Sequence, residues 1–227
     1  SHFNKGEDYH LRFENLPGRK NIWDLEKKII NIFLDSKEII NHLDFASGTG
    51  RIAKFLEKNV RKQYLLDSSE KMLEFSKTIL NSDDTTFIHG DFSNISLDKK
   101  FDLITAFRFF PNAEPLLRRN AMEFISKNLS ENGILIFNNH KNFWSIPFFI
   151  ERLTFRSNGF GMTHKEIKKL VKNCNLKIYK YKSVGLMTNK EKSLIIPSTI
   201  ISKLENIFLK IFSNHLLGYN VVYVVGK

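Results

Sequence analysis

Residues 42–56, HLDFASGTGRIAKFL, decide how this chain is read. The run from Ile39 to Phe45 is apolar and β-branched, which is strand sequence. Ala46 to Gly50 are small residues suited to a tight loop, and from Arg51 the apolar positions return at helical spacing over 51–58. A loop of this kind lets a ligand come close to the backbone. Two readings of it stand open. Gly48-Thr49-Gly50-Arg51-Ile52-Ala53 fits the G-x-G-x-x-A dinucleotide pattern. Asp44, followed by Ala46-Ser47-Gly48-Thr49-Gly50, fits an acidic strand end ahead of a loop for a different nucleotide-like ligand.

Working outward, strand and helix patterns alternate. The spacing predicts a helix over 20–34 (Ile22, Trp23, Leu25, Ile29, Ile30, Phe33), then the strand Ile39–Phe45 and the helix 51–58. A strand Gln63–Asp67 follows, and Ser69 is placed to cap a helix running to Leu80. Thr86–His89 and Phe101–Phe107 read as strands, 113–129 as a helix stopped by Asn132-Gly133, and Ile134–Phe137 as the next strand. Beyond residue 140 come an aromatic segment, Phe143 to Phe155, a helix over 164–174 starting at Thr163, and an extended stretch, Leu176–Val184. A helix over 198–213 and a β-rich run, Tyr219–Val225, complete the pattern. Such alternation predicts an α/β fold: a doubly wound, mostly parallel, seven-stranded sheet with helices on both faces. The expected organisation is one domain over 1–227, with an N-terminal lid or helix (1–35) and a ligand-binding core (36–140). Cap insertions and a late strand occupy 141–218, and 219–227 form the final strand.

Bulk composition narrows the field. A chain of 227 residues suits one domain with a substantial core. The net charge of +11 comes from lysines spread along the chain among Glu and Asp, which reads as compositional bias rather than a nucleic-acid patch. No apolar run is long enough to span a bilayer, and the polar start SHFNKGEDYHLRF lacks the apolar centre of a signal peptide. The single cysteine, Cys174, excludes an internal disulfide and a multi-cysteine metal site, and reads as an inert core thiol. A cytoplasmic location and no metal are expected.

Three acids at strand ends choose between the two readings. Asp44 stands where a dinucleotide would bring its pyrophosphate, and a carboxylate there repels phosphate but suits a cationic ligand. Asp67 ends the second strand, placed to accept from ribose hydroxyls. Asp91, in His89-Gly90-Asp91-Phe92, is placed to accept from an adenine amino group while Phe92 packs on the ring. Each has a plainer alternative: Asp44 as a helix-dipole partner, the glycines as a turn, Asp91 as an Asx-turn residue.

With these residues in place the sequence resembles the class I S-adenosylmethionine-dependent methyltransferases. Leu43-Asp44-Phe45-Ala46-Ser47-Gly48-Thr49-Gly50 is similar to that family's first motif, Leu66-Asp67-Ser68-Ser69-Glu70-Lys71-Met72-Leu73 to its second, and Gly90-Asp91-Phe92 to its third. The chain departs in having Ala46 where many members carry glycine, and Glu131-Asn132-Gly133 where they carry proline-glycine-glycine. The resemblance implies S-adenosylmethionine as cofactor, with contacts from Asp44, Ala46, Ser47, Gly48, Gly50, Asp67, Ser68, Asp91, Phe92 and Phe107.

The methyl acceptor then belongs beyond the carboxyl ends of the fourth and fifth strands, at Ala106–Asn112 and Asn138–Asn142. His140 is the expected general base, because an ordinary imidazole titrates near neutrality. Arg108 is expected to orient an acidic or phosphorylated acceptor, and Asn112 and Asn139 to position hydroxyls. The alternatives are a structural histidine and an Arg108–Glu114 ion pair. Tyr9 and Arg19 precede the first expected helix, where a lid could meet the cofactor's carboxylate. The expected partner is a small molecule bearing a hydroxyl, such as a sugar; a nucleic-acid substrate and a non-catalytic cofactor-binding module are the rival readings.

Overall fold

Seven strands form one sheet in the order β3-β2-β1-β4-β5-β7-β6. The computed structural model describes residues 6–34, 37–80, 83–153, 161–186, 200, 203–205, 207 and 216–227. The strands are β1 (Ile39–Phe45), β2 (Val60–Asp67), β3 (Thr85–His89), β4 (Phe101–Ala106), β5 (Leu129–Asn139), β6 (Lys177–Val184) and β7 (Asn220–Gly226). β1 to β5 run parallel, and β7 lies antiparallel between β5 and β6. The doubly wound, mostly parallel sheet expected from the alternating pattern is the one observed, with β7 as its antiparallel strand. The order reverses at β1, so the ends of β1 and β4 diverge and leave a crevice at the glycine loop.

Central strands are buried on both faces, which is why their sequences read as continuous apolar runs rather than alternating ones. Leu43, Phe45, Ile104, Phe137 and Tyr223 face one core, completed by α5 (Pro115–Asn128) and α7 (His164–Asn173). Leu103, Ile134, Ile136, Val222 and Val224 face the other, covered by Leu25, Ile29, Ile30 and Phe33 of α2 (Pro17–Leu34). α3 (Arg51–Leu56) and α4 (Glu70–Ile79) flank β1 and β2.

Several boundaries differ from expectation. A further helix, α1 (Gly6–Asn15), precedes α2, and β2 begins at Val60. Asn132-Gly133 does not stop a helix. β5 starts at Leu129 and passes through it, with a register slip opposite Phe101 and Leu103. Glycine is needed at 133 because a Cβ would lie 2.6 Å from the Phe101 carbonyl oxygen. Ser69 stands at the N-cap of α4 but its hydroxyl makes no cap bond. Thr163 does cap α7, with a reciprocal bond from Glu166. The aromatic segment yields α6 (Ile146–Leu153), with Phe148 buried and Trp144 and Phe149 exposed. The helix expected over 198–213 lies largely outside the described residues, as do Phe155 and Phe160. No helix among the described residues is long and apolar enough to cross a membrane.

Candidate functional site

The loop after β1 passes through three left-handed residues, Ala46 (φ 52°), Gly48 (φ 55°) and Gly50 (φ 71°). At Gly50 both conformation and space demand glycine, since a Cβ would sit 3.0–3.1 Å from Ser76, Leu65 and Leu80. At Gly48 a Cβ would meet nothing within 4 Å, so its backbone faces open space. Beside it the Ser47 hydroxyl oxygen is buried without a hydrogen-bond partner. An open backbone and an orphaned hydroxyl on one loop form a cradle that a polar ligand would complete.

Of the acids, Asp44 is 2 % exposed and lies beneath this loop. Thr105 donates to its Oδ1 at 2.8 Å and the Ala53 N–H of α3 donates to its Oδ2 at 3.3 Å. Burial dominates and pushes its carboxyl up to about 7 despite those bonds. The helix-dipole alternative is thus present in the geometry: the acid anchors the amino end of α3. Thr105 is also reached by His42, which bridges it to Gln63 in the sheet interior and is pushed down to about 4 by burial.

Asp67 ends β2 and grips the loop from the other side. The Gly48 N–H donates to its Oδ2 at 2.7 Å and the Ser69 N–H to its Oδ1 at 2.8 Å. A carboxylate has about four acceptor sites, so acceptor capacity remains for a ligand's hydroxyl. Ser68 beside it is exposed, and its carbonyl contacts His89 Nε2 at 3.2 Å. Asp91 is exposed, and its Oδ1 accepts from both the N–H and the hydroxyl of Ser93, the Asx-turn arrangement. Phe92 is turned inward against Phe45, Phe109 and Phe124, at centroid distances of 5.2, 6.3 and 5.6 Å, rather than standing as an open platform. Phe107 is 8 % exposed within the α2-side core. The structure therefore gathers Asp44, Ala46, Ser47, Gly48, Gly50 and Asp67 around one loop, and places Asp91 and Phe92 at the end of β3.

A second group lies at the ends of β4 and β5. Arg108 has φ 62°, its N–H donating to Asn138 Oδ1 at 2.6 Å and its carbonyl accepting from Asn112 Nδ2 at 2.8 Å. No ion pair to Glu114 forms. His140 is 4 % exposed with Nδ1 unpartnered. Burial first, then the charges of Arg108, Lys141 and Arg19, push it well below its ordinary value. The near-neutral titration expected of a free imidazole is absent here. Asn139 is wholly buried and donates to the Met162 carbonyl, so it holds the chain rather than presenting an amide, and Asn112 ties Arg108 to Lys141 Nζ.

Sequence reasoning missed Glu26. It is 1 % exposed on α2, where Asn138 and Asn220 donate to its Oε1 at 2.7 and 2.6 Å and Arg51 donates to its Oε2 at 3.4 Å. This buried acid joins α2, α3, β5 and β7 under the crevice. α1, within the segment 1–35 expected as an N-terminal lid or helix, lies over the same place: His10 reaches the Thr49 hydroxyl, and the Phe13 ring lies between the guanidiniums of Arg19, Arg51 and Arg108. The Tyr9 side chain lies outside the described residues. Among the described residues no His, Cys, Asp and Glu cluster could hold a metal. A cleft of about 510 Å³ along β6, between Phe33 and His164, touches none of these groups.

Residues 43–133 match the model of a family described as "Methyltransferase domain". A search of curated proteins found no match. Similar solved structures include an S-adenosylmethionine-dependent methyltransferase from Clostridium acetobutylicum (16 % identity, 89 % of this chain and 90 % of that one, TM-score 0.59). They include the N-methyltransferase NodS from Bradyrhizobium japonicum in complex with S-adenosyl-L-homocysteine (12 %, 94 % and 89 %, 0.63). Magnesium protoporphyrin IX methyltransferase from Synechocystis, also with S-adenosylhomocysteine, is a third (11 %, 92 % and 83 %, 0.62). At these identities the likeness is one of fold.

Proposed function

We propose that this chain, a class I S-adenosylmethionine-dependent methyltransferase, acts on a small-molecule acceptor seated beyond the carboxyl ends of β4 and β5. The observation that carries the reading is the corner at the end of β5, where Asn138 holds Arg108 against the Phe13 ring and His140, two residues on, is 4 % exposed with an unpartnered Nδ1. A corner closed to this degree admits the reactive end of a small molecule more readily than a polymer backbone.

The cradle fits the cofactor. Gly48 offers open backbone, Ser47 an unused hydroxyl and Asp67 remaining acceptor capacity for a ribose, while Asp44 sets the loop from beneath. When bound, S-adenosylmethionine supplies an electrophilic methyl group on a sulfonium. The chain's own work is to align the acceptor for in-line attack and keep water out. His140 stays neutral because its imidazolium would be buried among three cations. It therefore serves as a hydrogen-bonding guide for the attacking atom rather than as a strong proton acceptor. That favours an amine or an already ionised oxygen over an unactivated sugar hydroxyl.

Isothermal titration with S-adenosylhomocysteine, with NAD as control, tests the cofactor site: micromolar binding of the first alone is expected, and binding of NAD alone would return residues 48–53 to a dinucleotide loop. An acceptor found by screening then tests His140. His140→Ala is expected to lower kcat/KM by ~10-fold or more with S-adenosylhomocysteine affinity retained, and wild-type kcat should show no ascending limb near pH 6.5. Unchanged turnover would remove His140 from the reaction. Salt-sensitive binding of DNA or RNA in a gel shift would favour the polymer substrate instead.

A further inference from the structure

Arg108 is aimed rather than merely exposed. Its left-handed backbone (φ 62°) is unusual for a side-chain-bearing residue and costs about 1 kcal/mol or more. It is locked on both sides, by Asn138 at its N–H and Asn112 at its carbonyl, and Asn138 is itself fixed by the buried carboxylate of Glu26. The half-buried guanidinium so presented lies 5.5 Å from the Phe13 ring centroid, and among the described residues it makes no hydrogen bond and no ion pair. Arg51 and Arg19 share that ring at 4.1 and 5.3 Å. The acid beside them, Glu26, is already bonded to Arg51 and two asparagine amides. The half-buried Arg108 fork, to which no described side chain gives an acceptor, is completed by an anion or by water.

The second observation is independent of the first. His140, on the neighbouring strand end, is 4 % exposed and leaves Nδ1 without a partner. A polar atom sealed from solvent and unpaired needs a partner that the described chain does not supply. The Arg108 N–H bonds Asn138, two residues before His140, and β4 pairs with β5 directly, so both side chains stand at the same end of neighbouring strands, where a single ligand can meet both.

We infer that the methyl acceptor carries an acidic group, a carboxylate or a phosphate, that pairs with the Arg108 guanidinium over the Phe13 ring while an adjoining polar atom of the same molecule meets His140 Nδ1. This deepens the substrate class of the proposed methyl-transfer site and rests on that reading. The planar fork of Arg108 gives bidentate recognition, and Arg19 adds attraction without having to touch the anion.

The test uses the full chain saturated with S-adenosylhomocysteine, so that any cation serving the cofactor's own carboxylate is already engaged. Inorganic phosphate and benzoate are titrated separately by calorimetry at fixed ionic strength into wild type, Arg108→Gln, Arg108→Lys and the remote control Lys177→Gln. Saturable binding of at least one anion to wild type and Lys177→Gln is expected, weakened ~10-fold or more in Arg108→Gln. Arg108→Lys should be intermediate, since charge is kept and the fork is lost. Preference for phosphate or for benzoate tells which acid the acceptor bears. If Arg108→Gln weakens S-adenosylhomocysteine itself while the saturated wild type takes no anion, Arg108 serves the cofactor and the inference is overturned. Equal losses in Lys177→Gln would overturn it too, as general surface charge. Should Arg108→Gln fail to fold by circular dichroism, Arg108→Lys decides: anion binding equal to wild type would overturn the fork. Failure of S-adenosylhomocysteine to bind wild type would instead strike the methyltransferase reading, so the two failures are distinguishable.

Discussion

Asp44 makes stability depend on pH in an unusual direction. Its carboxyl is wholly buried and pushed up to about 7, from 3.8 in an unstructured chain, because desolvation outweighs the bonds from Thr105 and Ala53. The folded protein therefore holds this proton more tightly than the unfolded chain does. The associated stabilisation is fully present below pH 3.8 and is lost as pH rises through about 7. Over that whole window the loss amounts to about 4 kcal/mol, and the part falling between pH 5 and pH 8 is about 2.5 kcal/mol. Asp44→Asn removes the titration and keeps the shape. The amide oxygen can accept from the Ala53 N–H and the amide nitrogen can donate to Thr105, whose hydroxyl turns toward His42, so the direct cost at pH 5 is within about 1 kcal/mol. His42, with its own depressed titration, is present in both proteins and cancels in the difference. Urea denaturation of the ligand-free proteins at pH 5, 6, 7 and 8 reads the outcome. The stability difference should move toward the variant by about 2.5 kcal/mol from pH 5 to pH 8. A difference that stays flat across this range would refute the view that Asp44 is held protonated by burial.

Three further substitutions probe the frame of the site. Ala46→Gly should raise stability by about 0.5 kcal/mol, read as a small rise in Tm, because glycine relieves the φ of 52°. Gly50→Ala should lower it by about 2 kcal/mol or more, because a left-handed φ of 71° is joined by contacts at 3.0–3.1 Å; a neutral result would mean α4 can yield. Glu26→Gln should destabilise by about 3 kcal/mol in denaturant titration, since Arg51 would lose its buried acid and one asparagine bond would weaken. Loss of under ~0.5 kcal/mol would show that water takes over from the carboxylate.

The central sheet was legible because its signals are local. The β1 run, the small-residue loop and the acids at the ends of β1, β2 and β3 each carry their message within a few residues, and the parallel order follows from alternation. Boundaries failed where a distant group decided them. Asn132-Gly133 has the composition of a turn, yet the close approach of the Phe101 carbonyl makes it a slip within β5. α1, GEDYHLRFEN, has too few apolar residues to read as a packed helix; much of its burial comes from Phe13 lying against arginines. Glu26 sits in a lysine-rich amphipathic helix and reads as a surface acid until Asn138 and Asn220 arrive from far along the chain. The same holds for His140: the residue type pointed to an acceptor site, while the burial that chiefly lowers its protonation, and after it the charges of Arg108 and Arg19, come from other parts of the chain, only Lys141 being its neighbour in sequence.

The bond from Asn220 to Glu26 spans 194 residues, and the strand bearing Asn220 lies inside the sheet between β5 and β6. During synthesis β1 to β5 can assemble in order, but the buried acid of α2 waits with one of its three partners missing and β6 has no strand to join. Loop-closure entropy makes such late, long-range pairing slow. The nascent chain therefore passes through a state in which the edge of β5 is open and the site's foundation is incomplete. Completion of the ground beneath the candidate site is tied to delivery of β7, so a chain stopped short of residue 220 would retain β1 to β5 and yet leave Glu26, which fixes Asn138 and with it Arg108, without one of its three partners.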